Sequence, residues 1–394
     1  MFRLDVKDQE EILGYCIKTG RPLHEVLEAK GLTYEALSYE RYKPDTKEGG
    51  EFKTIEGYRK PSHRTQVVSF FSGCGGMDLG FEAAGYEHVA CIDNNVLFCE
   101  TLRVNRRGWN VVGPPYGGEG DISKRDDLLR ALKPLIGEDF EGVFIGGPPC
   151  QSFSVAANQR FAKWGDNFKR IGFRDKSRGN LLLDFVWFIK QFRPAAFVIE
   201  NVPGLARIDG GYQVRLVTGE LAKSGYTVSE PKVMDAAHYG VPQWRKRMFI
   251  VGSKKATMLF PNPSPTRVPC HKALSLPING SQNHITRLHR AESVKRYMGL
   301  DYGDRDDLGR VDRLDPNEPA KTVIAGGTKG GGRSHLHPSV PRTMSVRECA
   351  RLQTFPDSFT FYGSLARQFT QVGNAVPPVL AWRLAKAMAD QDLV

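Results

Sequence analysis

Three short stretches of this chain carry residues that could do covalent chemistry. The first is Gly146-Gly147-Pro148-Pro149-Cys150-Gln151-Ser152-Phe153-Ser154. Two glycines let backbone approach a ligand closely, and two prolines stiffen the segment and bias the residues before them towards extended shapes. An isolated cysteine is most often a small buried hydrophobe. Within Pro-Pro-Cys, straight after an apolar run, Cys150 reads instead as a nucleophile acting through its thiolate. The second stretch is Glu200-Asn201-Val202-Pro203-Gly204. A carboxyl buried at a strand end has a raised pKa and holds a proton near neutral pH, as a general acid must. The third is Gln243-Trp244-Arg245-Lys246-Arg247. If it is extended, Gln243, Arg245 and Arg247 share a face, and two guanidiniums there would lower a thiol pKa and offer fixed donors to a base or phosphate. An ordinary basic edge strand would show the same alternation.

The elements that must hold these groups are legible around them. Val143-Phe144-Ile145, Ala196-Phe197-Val198-Ile199 and Met248-Phe249-Ile250-Val251 read as buried strands. Open α/β sheets place ligands at the carboxyl ends of such strands. Upstream, Val67 to Phe71 predicts a strand, Ser72-Gly73-Cys74-Gly75-Gly76 a turn, and Met77 to Ala84 a helix, the opening of a nucleotide-binding βαβ unit. Val89 to Ile92 predicts a second strand ending on Asp93, where a carboxylate suits a ribose hydroxyl pair. Gly120-Asp121-Ile122 adds a further turn. Together these read as a nucleoside pocket without a pyrophosphate cradle, into which S-adenosylmethionine fits. The polar stretch 155–179 reads either as a loop that closes over a ligand or as irregular surface.

Length and composition bound the rest. The 394 residues call for two domains and an appendage, and 40% apolar with 25% charged residues is the balance of a globular chain. Seven cysteines without a Cys-x-x-Cys pair argue against a disulfide framework and a zinc finger, so a reduced, cytoplasmic protein without metal is expected. There is no signal-peptide pattern and no apolar run long enough to span a membrane. The net charge of +11 is unevenly spread. Residues 1–60 hold eleven Lys/Arg against twelve Asp/Glu, whereas 254–345 hold fifteen against eight, as a phosphate-contacting surface or merely a basic one would. Leu23, Val26, Leu27, Gly31 and Leu37 loosely suggest a helix-turn-helix, but without basic excess a small helical packing module is the expectation. The expected division is a helical extension and linker over 1–61, a catalytic and cofactor-binding domain over 62–253 completed by 364–394, and a loop-rich recognition domain over 254–363.

Taken in order, Phe-Ser-Gly-Cys-Gly-Gly (71–76), Gly-Pro-Pro-Cys-Gln-Ser-Phe-Ser (147–154), Glu-Asn-Val (200–202), Gln-x-Arg-x-Arg (243–247), Arg-Glu-Cys-Ala-Arg-Leu-Gln-x-Phe-Pro (347–356) and Gly-Asn-Ala-Val-Pro-Pro (373–378) resemble the successive signatures of the DNA (cytosine-5) methyltransferase family, in particular the bacterial restriction-modification type. The resemblance covers about residues 65–394. It implies an α/β fold with a Rossmann-like S-adenosylmethionine-dependent methyltransferase sheet and a smaller loop-rich second domain. Cys150, Glu200, Arg245 and Arg247 would be catalytic. Phe71, Ser72, Gly73, Gly75, Gly76, Asp93, Asp121, Ile122, Pro148, Leu181, Asn374 and Val376 would surround the cofactor, and Ser154, Gln243 and Thr322 would meet the substrate. The implied partner is double-stranded DNA, with a cognate restriction endonuclease in the same system but no stable complex, and a monomer is expected. Ser69 stands where the family often has an acidic residue. A tRNA cytosine methyltransferase would carry Cys-Phe-Thr after the middle helix, which this chain lacks; a dual enzyme and DNA-binding regulator is the other alternative.

Overall fold

The computed structural model describes residues 3–41, 46–58, 65–149, 181–278, 281–309, 311–325 and 335–394. They divide into two compact units. The larger comprises Thr54–Tyr239, Arg245–Pro263 and Ala375–Val394, and the smaller comprises Met1–Lys53, Gly240–Trp244 and Ser264–Asn374.

The larger unit is built on one sheet. Its strands are β1 (Gln66–Phe70), β2 (Glu87–Ile92), β3 (Val111–Val112), β4 (Val143–Gly146), β5 (Ala196–Asn201), β6 (Thr227–Val228), β7 (Lys232–Asp235) and β8 (Lys246–Ser253). The order is β3-β2-β1-β4-β5-β8-β6, with β7 also on β8. β1 to β5 run parallel, and β8 runs antiparallel to β5, β6 and β7. Strand β4 is buried end to end and β1 from Val67 onward, so neither shows the alternation of a half-exposed strand. Order reverses between β1 and β4, and a crevice opens at such a switch point beside the strands' carboxyl ends. Phe71, Asp93 and Pro149 all follow carboxyl ends of this sheet.

Helices α3 (Gly76–Ala83), α4 (Val96–Asn105), α5 (Arg125–Ile136), α6 (Leu181–Phe192), α7 (Tyr212–Lys223) and α12 (Pro378–Asp390) belong to the same unit. Phe70 packs its ring 4.9–5.5 Å from Phe144, Phe185 and Phe188, tying β1, β4 and α6 into one aromatic core. Gly80 permits the close approach of α3 and α12: a Cβ there would stand 2.6 Å from the Pro378 carbonyl oxygen. Lys254 to Pro263 stays with this unit, because the Lys254 and Met258 amides donate to the Ala195 carbonyl and the Ser229 hydroxyl.

The smaller unit carries α1 (Val6–Thr19), α2 (Leu23–Ala29), α8 (His271–Leu274), α9 (Ala291–Met298), α10 (Val346–Leu352) and α11 (Leu365–Asn374). The sequence sets residues 1–61 apart; in the structure the first 53 share a core with the recognition region. Ile12, Leu13, Cys16, Leu23 and Leu27 bury against Ala291, Val294 and Met298 of α9. The turn to Leu37 is a short 3-10 stretch (Tyr34–Ala36) rather than a second recognition helix. Arg342, buried, donates to Glu35 and, through two nitrogens, to Glu348. Arg313 donates to the Pro338 and Leu300 carbonyls and lies 3.5 Å from the Tyr39 ring centroid. Part of the basic excess of 254–345 is therefore structural. Residues 365–374 also belong here rather than with the catalytic unit, since Gln353, which caps α10, donates to the Val372 carbonyl at 2.6 Å. Among the described residues no helix is long and apolar enough to cross a membrane.

Candidate active site

Glu200 and Arg247 come together across β5 and β8. The Arg247 Nε lies 2.8 Å from Glu200 Oε1, and both side chains are about seven-eighths hidden from solvent. Burial raises the Glu200 pKa, and the guanidiniums of Arg247 and Arg245 only partly oppose it. Arg245 is fully buried, its amide donates to the Asp235 carboxylate at 2.9 Å, and burial pulls its guanidinium pKa well down. The neighbouring strand is fitted to this pair. A Cβ on Gly147 would stand 2.8 Å from Glu200 Oε2, so any larger residue just after β4 would push the carboxyl out of this position. Asn201 Nδ2 donates to the Pro148 carbonyl at 3.2 Å, and its Oδ1 accepts from the Val202 amide, holding the Pro-Pro segment against β5. Cys150, Ser154 and the rest of 150–180 lie outside the described residues. The described chain thus brings the acid and its arginine to the strand end from which Pro148-Pro149 leads to Cys150.

The alternation expected over 243–247 holds for the two arginines and ends at Gln243. Strand β8 begins only at Lys246, and Gln243 forms its bridge to Ala320 in the smaller unit. Fully buried, its amide nitrogen faces the Leu352 carbonyl and Gln353, and its oxygen accepts from the Val323 amide. Thr322 donates its hydroxyl to the Trp244 carbonyl at 2.6 Å. These residues pin segments of the smaller unit to one another. The glycine-rich residues 326–334 lie outside the described residues.

A second site occupies the switch point. Phe70, Phe71, Ile92, Asp93, Asn94, Gly120, Asp121, Ile122, Pro149 and Leu181 line a cleft open to solvent. Of the residues read from sequence, it gathers Phe71, Asp93, Asp121, Ile122 and Leu181. Phe71 has a φ of 55°, a left-handed conformation that costs a side chain about 1–3 kcal/mol and marks a constrained site. Asp93 receives the Gly73 amide at 2.9 Å and the Asn95 amide at 2.8 Å. Ser72 braces the turn by donating to the Ser69 hydroxyl at 2.9 Å. Gly75 caps α3 in the left-handed conformation, and Gly76 opens the helix. Asp121 accepts from the amide and hydroxyl of Ser123. Val376 is buried in this unit, whereas Asn374 is exposed at the end of α11 in the other. Sequence reasoning overlooked Asn94 and gave Gly120 only as a turn. Gly120 has φ +60°, and a Cβ there would run into the Asp93 carbonyl, a close approach signalled only by the Gly-Asp dipeptide itself. An aromatic wall, a buried carboxylate and turn amides match adenine and ribose, so the cleft fits the nucleoside end of S-adenosylmethionine.

Burial pushes the Asp93 pKa up to about 6 against the pull of its two amide donors. Ribose hydroxyls donate to the ionised form, so protonation should compete with the cofactor. The dissociation constant for S-adenosylmethionine should be level above about pH 7 and rise roughly tenfold per unit below pH 6. Calorimetric titration between pH 5 and 8 checks this, and Asp93→Asn should bind weakly with a flat profile.

A mostly parallel sheet with a nucleoside cleft at its switch point and a buried carboxyl–arginine pair beside it is the arrangement of an S-adenosylmethionine-dependent methyltransferase. The chain belongs to the C-5 cytosine-specific DNA methylase family, whose model matches residues 65–299 and 279–390. It is accordingly a DNA (cytosine-5) methyltransferase that uses S-adenosylmethionine. It is 34% identical to the type II methyltransferase M.NgoFVII of Neisseria gonorrhoeae, over 85% of this chain and 89% of that protein. It is 32% identical to M.PspPI of Psychrobacter sp. (strain TA137), over 84% and 80%. Its fold is similar to that of a DNA modification methyltransferase encoded within an E. coli prophage, with a TM-score of 0.63 and 24% identity over 83% of this chain and 99% of that one. The S. pombe Dnmt2 methyltransferase shares the fold more loosely, with a TM-score of 0.57 and 17% identity over 84% and 100%.

Proposed function

We propose that this enzyme methylates C5 of a flipped-out cytosine in a specific duplex DNA site, with Cys150, Glu200 and Arg247 carrying the reaction, as the modification partner of a restriction system. The C5 carbon of cytosine is a weak nucleophile. Addition of the Cys150 thiolate to C6 makes C5 carbanion-like. That addition is uphill unless ring charge is neutralised, so Glu200 protonates N3 and accepts from the exocyclic amine at N4. Arg247 donates to O2, and Arg245 supports it from behind. Bound S-adenosylmethionine supplies an electrophilic methyl group, and Phe71 and Asp93 hold its nucleoside end in place. Once C5 carries the methyl group, a base removes the C5 proton and the Cys150–C6 bond breaks. None of this is reachable inside a stacked duplex, so the cytosine must leave the helix. The family resemblance supports a DNA-contacting role for Ser154 and Thr322, and basic residues of the smaller unit that stay exposed, such as Arg290, Lys295 and Lys321, are suited to phosphates.

The observation that carries this reading is the buried Glu200–Arg247 pair, fitted against Gly147 two residues before Pro149-Cys150. The type II relatives support the restriction-modification role, and with it a cognate endonuclease; a monomeric enzyme in a cytoplasmic setting completes the proposal. Incubation with labelled S-adenosylmethionine and duplex DNA, single-stranded DNA or tRNA, followed by nucleoside analysis, tests it. 5-Methylcytosine in duplex DNA is expected. Label confined to tRNA would overturn the DNA assignment, and label in none of them the enzyme assignment.

A further inference from the structure

Among the described residues, one further group of side chains is close enough to share a metal ion: Asp78, His88 and Cys91. Asp78 lies in the first turn of α3, and His88 and Cys91 lie on β2. Residues three apart on a regular strand face opposite sides. The β1–β2 ladder, however, pairs Val67 with His88 and Val68 with Ala90, leaving Val89 as the extra residue of a bulge. That slip re-phases β2 and lets both His88 and Cys91 reach Asp78. The His88 and Asp78 side chains have no solvent exposure, and Cys91 has none either. The Trp109 ring stacks on His88 at 4.1 Å and fixes its plane. His88 Nε2 faces Asp78 Oδ1 at 3.3 Å without the geometry of a hydrogen bond, and His88 Nδ1 and Asp78 Oδ2 have no hydrogen-bond partner. Polar atoms left unsatisfied inside a core are costly, and a ligand is one remedy.

The spacing matches a particular ion. His88 Nε2 stands 3.3 Å and Cys91 Sγ 3.6 Å from the same Asp78 oxygen, Oδ1. Tetrahedral zinc, with bonds of about 2.3 Å to sulfur and about 2.0–2.1 Å to nitrogen and oxygen, has edges of about 3.3 Å between N and O and about 3.5 Å between S and O. A thiolate, an imidazole and a carboxylate are also the donors a borderline-soft ion selects, whereas magnesium or calcium would want oxygen alone. We propose that Asp78, His88 and Cys91 bind one Zn²⁺-class ion. Asp78 sits two residues beyond Gly76, and Cys91 two before Asp93. The ion therefore ties the glycine-turn helix to the strand that presents the ribose carboxylate, a structural staple for the cofactor cleft that is independent of the chemistry assigned to Cys150.

The test uses the full chain carrying Cys150→Ala, so that the nucleophile's thiol adds nothing to the signal. The protein is purified without chelator, its metal content is measured, and the stripped form is titrated with Co²⁺. About one equivalent of metal and a thiolate-to-cobalt charge-transfer absorption are expected, with a melting temperature that falls on stripping and recovers with Zn²⁺. Adding Cys91→Ser should abolish the absorption, and His88→Gln should weaken Co²⁺ affinity at least about tenfold. Absence of the absorption in the parent protein, or its persistence in Cys91→Ser, would overturn the proposal. If Cys91→Ser does not fold, an unchanged affinity in His88→Gln does so instead.

Discussion

Cys150→Ala should lower methyl transfer by at least about 10⁴-fold while S-adenosylmethionine binding stays within a few-fold of the parent protein. Without the thiolate nothing adds to C6, and C5 keeps the low nucleophilicity of the free base. Removing a covalent nucleophile commonly costs factors of this size or more. The cofactor cleft draws its aromatic wall from Phe71, its carboxylate from Asp93 and its floor from Ile122, none of which depends on the thiol. Calorimetry with S-adenosylmethionine and single-turnover transfer to duplex DNA separate the two effects. Turnover near the parent rate would remove Cys150 from the mechanism, and loss of cofactor binding would mean the substitution disturbs the platform instead.

Glu200→Gln should reduce the transfer rate by roughly 10²–10⁴-fold, with DNA affinity much less affected. Glutamine keeps the shape and an oxygen for the cytosine amine, but it has no proton to give to N3. The pH dependence separates acid catalysis from mere hydrogen bonding. Burial raises the Glu200 pKa despite Arg247 at 2.8 Å. The proton-bearing form does the work, so activity should fall as pH rises through that lifted pKa, while the thiolate requirement makes activity fall at low pH. Glu200→Gln should lose the alkaline limb carried by the carboxyl and keep the acid one. Single-turnover rates across pH read this directly. A glutamine variant with the parent rate and profile would show that Glu200 does not supply the proton.

The sequence by itself determined the chemistry and most of the scaffold. Short apolar runs ending in Phe71, Asp93, Gly146 and Glu200 predict strands with ligand-facing ends, and strands occupy those places because β-branched and aromatic residues between glycine or proline breaks leave little choice. Pro148-Pro149-Cys150 singles out the proposed nucleophile through local stiffness, a property that needs no neighbour. Partners were a different matter. That Gly147 makes room for the Glu200 carboxyl, and that Asn201 holds the Pro148 carbonyl, depends on β4 and β5 lying side by side, some 50 residues apart in the chain. Gln243 looked like a third member of an arginine face, yet the strand starts three residues later, and its amide is spent on Val323, Leu352 and Gln353. The first 53 residues looked detachable because their own composition is neutral and polar. Their apolar face has its complement on α9, more than 250 residues away, and periodicity cannot name a partner at that distance. His88 and Cys91, three apart on a strand, should face opposite ways; a one-residue bulge, invisible in the sequence, turns them towards the same carboxylate. Residue type and local backbone preference fix which groups can react, but which groups meet is decided by the register and packing of segments distant in the chain.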